Sequence, residues 1–192
     1  MDLNSGKIAI IGGAGFVGSR LASRFDRSAL NYVICDIDTS SRSDNIIHLD
    51  VEEHESLKQL NGFDSIINLA AVHRDDIRPL SRYDDVNVQG AVNVCDAATK
   101  SNIKQIVFTS SVAIYGFAPP DTDETGQPNY FNDYGRTKFL AEGVYKVWQA
   151  EDPDNRSVVI VRPTVIFGEG NRGNVFNLLE KIASHKFVMF GK

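Results

Sequence analysis

The stretch KIAIIGGAGFVGSR, residues 7–20, constrains the fold of this chain more than any other. A short β-branched run, Lys7 to Ile11, leads directly into closely spaced glycines. An amphipathic run from Gly15 to Phe25 follows. Gly13-x-Gly15-x-x-Gly18 fits the spacing of a dinucleotide-binding turn, and Gly12-x-x-Gly15-x-x-Gly18 fits its variant. Such glycines permit a tight turn, close approach of backbone to a pyrophosphate, and close packing of helix on strand. A helix beginning near Gly15, with Phe16 and Val17 in its first turn, would offer free N–H groups and a positive dipole end to phosphates. A glycine-rich turn alone is a weak signal. The strand before it and the helix after it supply the context that strengthens it.

A second apolar run, Tyr32 to Asp36, ends in a carboxylate 18 residues after Gly18. Asp36, with Ile37 beside it, is placed to accept hydrogen bonds from ribose hydroxyls and to repel a 2′-phosphate. The residues immediately after it bring no Arg or Lys to hold such a phosphate, so the expected cofactor is NAD and not NADP. Asp50 and Val51, where the third strand ends, lie where an adenine edge would sit, although "LD" before a helix is also an ordinary N-cap.

The remaining pattern repeats the first unit. Strands are expected at Ile46–Asp50, Ser65–Asn68, Gln105–Ser110 and Ser157–Arg162. Helices are expected at Glu52–Leu60, Tyr83–Lys100, Asp133–Ala150 and Val175–Ser184. The strands are continuous apolar runs, the pattern of strands buried on both faces of a parallel sheet. Strand–helix alternation of this kind predicts an α/β, doubly wound, Rossmann-type fold, with ligands beyond the C-terminal ends of the strands. "FAPPDTDETGQPNYF" is the longest expected loop. "KFVMFGK" reads as another strand or its approach, and the chain is expected to be truncated there.

Composition excludes some function classes. The formal net charge is −5 and no basic cluster is long, which argues against a nucleic-acid or anionic-membrane surface. No run is apolar enough to span a bilayer and none reads as a signal peptide, so a cytoplasmic protein is expected. Cys35 and Cys95 form no C-x-x-C pair and are expected to be reduced and buried. His48, His54, His73 and His185 have no ligand spacing, so no metal is expected. His73 alone lies near the cofactor crevice.

In "FNDYGRTKFLAE" a tyrosine, Tyr134, stands four residues before a lysine, Lys138, at the start of a good helix. Residues so spaced share a helix face. A free phenol has a pKa of about 10. A cation within roughly 4–6 Å can lower it by about 1–3 units, toward values useful for proton transfer. "TSSVAIYG" brings hydroxyls to the end of the fifth strand, and "RPTVIFGEG" follows the sixth.

Together, the glycine turn, the serine after one strand and Tyr-x-x-x-Lys on the next helix resemble the extended short-chain dehydrogenase/reductase family. "NLAAVH" and "NVQG" add to the match. The resemblance runs from Lys7 to about Gly170 and is greatest to the NAD-dependent nucleotide-sugar epimerase/dehydratase group. It implies that Tyr134 is the catalytic acid/base, that Lys138 bonds the nicotinamide ribose, and that Ser111 bonds the reacting hydroxyl or carbonyl. It implies further that Leu69, Ala70 and Ala71 line the cofactor, that Asn87 is a structural member of the cofactor site, and that Pro163 lies against the nicotinamide. Dehydratases of the group carry an Asp-Glu pair directly after the catalytic hydroxyl residue. Here Val112 and Ala113 stand there, which favours an epimerase, most simply acting at C4 of a UDP-sugar. A keto-sugar reductase or sugar dehydrogenase needs the same residues, and a non-catalytic NAD sensor needs only the fold.

Residues 1–170 are expected to form the NAD-binding domain and residues 171–192 to begin a substrate region. There Asn171, Arg172 and Asn174 either meet a substrate diphosphate or form a polar loop and N-cap before the last helix. These 192 residues alone are expected to bind NAD and to turn over sugar poorly. A homodimer through two amphipathic helices is implied by the resemblance.

Overall fold

β1 (Ile8–Ile11) is buried along its whole length because it is flanked on both edges and covered on both faces. In the computed structural model of the protein, which describes residues 6–40, 45–74 and 76–188, β1 pairs in parallel with β2 (Tyr32–Asp36) and β4 (Ser65–Asn68). The sheet continues outward to β3 (Ile46–His48) on one side, and to β5 (Gln105–Thr109) and β6 (Ser157–Val161) on the other. The order β3-β2-β1-β4-β5-β6 is all parallel and reverses direction between β1 and β4. That reversal opens a crevice beyond the strand C-termini, where ligands of doubly wound sheets bind.

α1 (Phe16–Arg27) packs its Ala22 and Phe25 against Ile8, Ile10 and Ile34 on one face of the sheet. The larger core lies on the other face. There α4 (Gly90–Lys100) and α5 (Asp133–Ala150) bury Val94, Ala98, Ala141, Tyr145 and Trp148 against Ile66, Ile106 and Phe108. Cys35 and Cys95 are free and buried within this core, and burial pushes both thiols up to about 12.

Several predicted boundaries move. The third strand ends at His48, because Leu49 turns its N–H to the Asp36 carbonyl and the chain then leaves the sheet. The helix expected over Glu52–Leu60 is α2 (His54–Leu57) followed by a 3₁₀ turn, Lys58–Leu60. The helix expected over Tyr83–Lys100 starts earlier as α3 (Ser81–Tyr83). It passes through a π-helical stretch, Asp84–Gln89, before α4. β6 departs from the two-face burial expected of it. Its residues alternate, with Val159 and Val161 exposed, because it lies at the sheet edge. α6 (Asn174–Ala183) has no buried residue. Lys186–Val188 have no regular structure, and the rest of "KFVMFGK" lies outside the described residues. Among the described residues no helix is long and apolar enough to cross a membrane.

Candidate active site

The β1 turn and the β4 turn meet at the reversal point. Gly12 has φ +74°, and a Cβ there would lie 2.7 Å from the Ala70 backbone nitrogen, so only glycine lets the two turns touch. Gly18 abuts Gly13 in the same way, bringing α1 down onto β1. Gly15 stands at the N-cap of α1 and has no side chain to cap it. The first-turn N–H groups of Phe16 and Val17 are thereby left for a ligand.

Asp36 reaches this turn from β2. One carboxylate oxygen accepts from Ala14 N at 2.9 Å and the other from Asp38 N at 3.0 Å. Leu69, Ala70 and Ala71 follow β4. Asn68 shapes their turn, accepting from Ala70 N at 3.0 Å while donating to the Tyr145 hydroxyl at 2.7 Å. The cradle formed by these residues fits a dinucleotide: a backbone surface for a pyrophosphate, a dipole end, and a carboxylate at ribose distance along β2.

Three sequence-predicted positions have local duties. Asp50 accepts from Glu52 N at 2.9 Å and so closes a turn, while the N-cap of α2 is Glu53 and not Asp50. Val51 is buried in the core, and its carbonyl accepts from Asn93 at 2.9 Å. Asn87 bridges two segments of the chain. Its amide oxygen accepts from Val72 N at 2.8 Å, and its amide nitrogen donates to Val72 O and to Thr137 Oγ1, each at 3.0 Å. With its donors committed, Asn87 fastens the loop after β4 to α5 beside Lys138.

The Tyr134–Lys138 pair lies at the start of α5. Asn132 caps that helix, its side chain accepting from Gly135 N at 2.8 Å. Gly135 presses against the turn after β5, where a Cβ would lie 2.4 Å from the Ala113 carbonyl oxygen. This contact brings Tyr134 to Ser111. The Ser111 hydroxyl oxygen accepts from Ala113 N at 3.1 Å, which leaves its proton available on the side of Tyr134. Burial pushes the phenol above its ordinary value, and Ser111 opposes that shift. Lys138 is fully enclosed, with its ammonium 4.5 Å from the centre of the Phe108 ring. Burial lowers its pKa from 10.5 to about 7, against a smaller opposing pull from Glu142. The cation expected to acidify Tyr134 is therefore only partly charged near pH 7. Pro163 follows β6, and its carbonyl accepts from Val112 N at 3.1 Å, which holds it beside the Ser111 turn.

Asn171 is engaged locally, donating to Ile166 O at 3.0 Å and accepting from Gly173 N at 2.9 Å. Asn174 opens α6, and the Arg172 guanidinium lies 5.9 Å from the Phe176 ring. The polar-loop alternative thus describes Asn171, while the N-cap of α6 is Gly173 and has no side-chain cap. His73 is exposed, with Nδ1 3.5 Å from Ala71 O.

Sequence reasoning missed Gly135, Thr137, Ser110, Arg162 and Glu142. The signal for Glu142 was present, since it follows Lys138 by the same four residues that separate Lys138 from Tyr134.

The model of the NAD dependent epimerase/dehydratase family matches residues 8–192. An N-acetyl-alpha-D-glucosaminyl-diphospho-ditrans,octacis-undecaprenol 4-epimerase of Escherichia coli O157:H7 is 45% identical over 96% of this chain and 56% of its own length. A UDP-glucose 4-epimerase of Yersinia enterocolitica is 28% identical over 96% of this chain and 62% of its own. The chain thus spans little more than half the length of these relatives. Among solved structures, MoeE5 in complex with UDP-glucuronic acid and NAD superposes with a TM-score of 0.82 at 25% identity, over 92% of this chain and 61% of that one. A match over nearly the whole chain, on a fold whose glycine turn and Tyr-x-x-x-Lys helix converge at one crevice, decides the assignment: the chain belongs to the NAD dependent epimerase/dehydratase family.

Proposed function

We propose that the protein interconverts C4 epimers of a diphosphate-linked sugar by transient oxidation to the 4-keto sugar. The observation that carries this reading is the convergence of the Ser111 turn and the start of α5, where Gly135 presses on Ala113, with Lys138 buried one turn along the same helix as Tyr134. Bound NAD supplies the hydride acceptor and donor. Gly12, Gly15, Phe16, Val17 and Gly18 would hold its pyrophosphate, and Asp36, with Ile37 beside it, a ribose. Leu69, Ala70, Ala71 and Pro163 would line it, and Asp50 and Val51 would approach it through backbone. Tyr134 takes the proton of the sugar hydroxyl on oxidation and returns it on reduction. Ser111 orients that oxygen. Lys138, fully buried on the sheet face of α5, is placed to donate to the nicotinamide ribose and to take up charge as Tyr134 loses its proton.

The carrier of the sugar is a second question. The 45% identical relative is named for a polyprenyl diphosphate substrate, and relatives named for UDP-glucose are 25% to 32% identical. That difference favours a polyprenyl diphosphate carrier over the UDP carrier expected from sequence. In this reading residues 1–170 hold the cofactor. Residues 171–192 begin the substrate region, where Arg172 is the natural partner of a diphosphate. The outer face of α4 and α5, with its exposed Val147, would join two copies.

The decisive experiment replaces Tyr134 by Phe in the full-length protein. UDP-N-acetylglucosamine and its undecaprenyl diphosphate counterpart are the substrates offered. Turnover is expected to vanish while NAD affinity is unchanged. Full activity in Tyr134→Phe would end the assignment, and faster turnover of the UDP-sugar would return the carrier to UDP.

A further inference from the structure

Tyr134, Lys138 and Glu142 are spaced by four along α5 and share one face. The proton transfer described above does not use Glu142, yet its side chain is 0% exposed. Its carboxylate accepts from Ser110 Oγ at 2.6 Å, from Arg162 Nε at 2.8 Å and Nη2 at 2.6 Å, and from Lys146 Nζ at 3.4 Å. Burial raises its pKa, but Arg162 and Ser110 outweigh burial, so the group stays ionised below the ordinary carboxylate range. The Nη1 of Arg162 donates in turn to the Tyr115 hydroxyl and, at 2.9 Å, to the Glu124 carbonyl.

The neighbours of these partners matter. Ser110 precedes Ser111, Arg162 precedes Pro163, and Tyr115 ends the 3₁₀ turn that Ser111 begins. One carboxylate therefore gathers the end of β5, the end of β6, the turn between Ser111 and the loop, and the helix that carries Tyr134. Stability is a weak reason for this arrangement, since buried ion pairs can often be replaced by apolar side chains at no net cost. Geometry is a stronger one. Beyond its first turn the backbone N–H groups of α5 are spent within the helix, so side-chain contacts, together with the approach of Gly135 to Ala113, fix how the helix is rotated and how far it slides along β5. Apolar contacts are non-directional. A forked guanidinium–carboxylate pair is directional.

We propose that Glu142 is a positioning residue: held by Arg162 and Ser110, it fixes the rotation and axial position of α5 that set the Tyr134 phenol relative to Ser111. This inference rests on reading Ser111 and Tyr134 as the reacting pair.

The test is the Ser111 Oγ–Tyr134 Oη separation in crystal structures of NAD-bound wild-type protein, of Ser110→Ala, and of the double variant Glu142→Leu/Arg162→Met. The double variant removes the pair together and leaves no unpaired buried charge. Its melting temperature is expected to stay within about 5 °C of wild type. Its NAD affinity is expected to change by less than about threefold. The separation is expected to exceed the wild-type value by about 1 Å or more in the double variant and to lengthen in Ser110→Ala. Where wild type turns over a substrate, kcat should fall by about tenfold or more with KM little changed. Arg162→Lys, which keeps the charge without the fork, should not restore it. A wild-type separation in the double variant overturns the proposal. If the double variant does not fold, a wild-type separation in Ser110→Ala does so. Should wild type turn over neither UDP-N-acetylglucosamine nor its undecaprenyl diphosphate counterpart, the epimerase reading fails, while the crystallographic separations still decide the role of Glu142.

Discussion

A lysine with no water around it changes what its tyrosine neighbour can do. From spacing alone, Lys138 is a cation that acidifies Tyr134. In the folded protein burial depresses Lys138 to about 7 and raises Tyr134, so the free phenol is protonated and the lysine is balanced between its two forms. The positive nicotinamide of bound NAD is then the charge that would favour the phenolate. A measurable consequence follows without any substrate. Between about pH 7 and 10.5 the unfolded chain keeps a proton on Lys138 that the folded chain has released. Stability of the NAD-free protein should therefore rise with pH through this window, by at most about 1.4 kcal/mol per pH unit from this group. Below pH 7 both forms are charged and the cost of burial is borne in full. Lys138→Met should lose this slope and be more stable than wild type at pH 7. Urea unfolding of both proteins at pH 7 and pH 9 measures it, and equal slopes would refute it.

At the scale of elements, the site depends on where helices and turns touch. Gly135 is a single atom group that sets the distance between α5 and the Ser111 turn. Gly135→Ala must push the two apart, because the obstacle is the backbone carbonyl of Ala113, which cannot rotate away. The expected cost is about 1–3 kcal/mol in denaturant unfolding. Turnover should fall by more than that loss of folded protein explains, and unaltered stability and turnover would contradict the contact. The π-helical stretch before α4 works similarly. It places Asn87 between Val72 and Thr137, joining the cofactor-side loop to the catalytic helix. Continuous apolar runs announced β1, β2, β4 and β5, and the run from Asp133 to Ala150 announced α5. The π stretch left no sequence mark, because a local widening of the helix is set by tertiary contacts such as those of Asn87.

For the molecule as a whole, the parallel sheet with its reversal between β1 and β4 puts every candidate site residue at one edge. The opposite, outer surface of α4 and α5 carries a groove lined by Val92, Val144, Val147 and Trp148. Val147 is 61% exposed, and an aliphatic side chain so placed is well used when a second copy covers it. The protein should run as a dimer in light-scattering chromatography, and Val147→Glu should shift it toward monomer with its fold intact by circular dichroism. A wild-type monomer at micromolar concentration would remove the homodimer from the proposal.

The sequence by itself determined the parallel α/β architecture, the glycine turn, the carboxylate at the end of β2 and the Tyr134–Lys138 pair. Each depends on residues close together in the chain, where periodicity and spacing suffice. Tertiary structure alone decided the burial of Lys138, the commitment of Asn87 to protein partners, the close approach of Gly135 to Ala113 and the gathering of Ser110, Arg162 and Tyr115 around Glu142. Those depend on contacts between residues up to 50 positions apart, such as Asn87 and Thr137. Solvent exclusion and side-chain direction exist only once the sheet has brought such residues together.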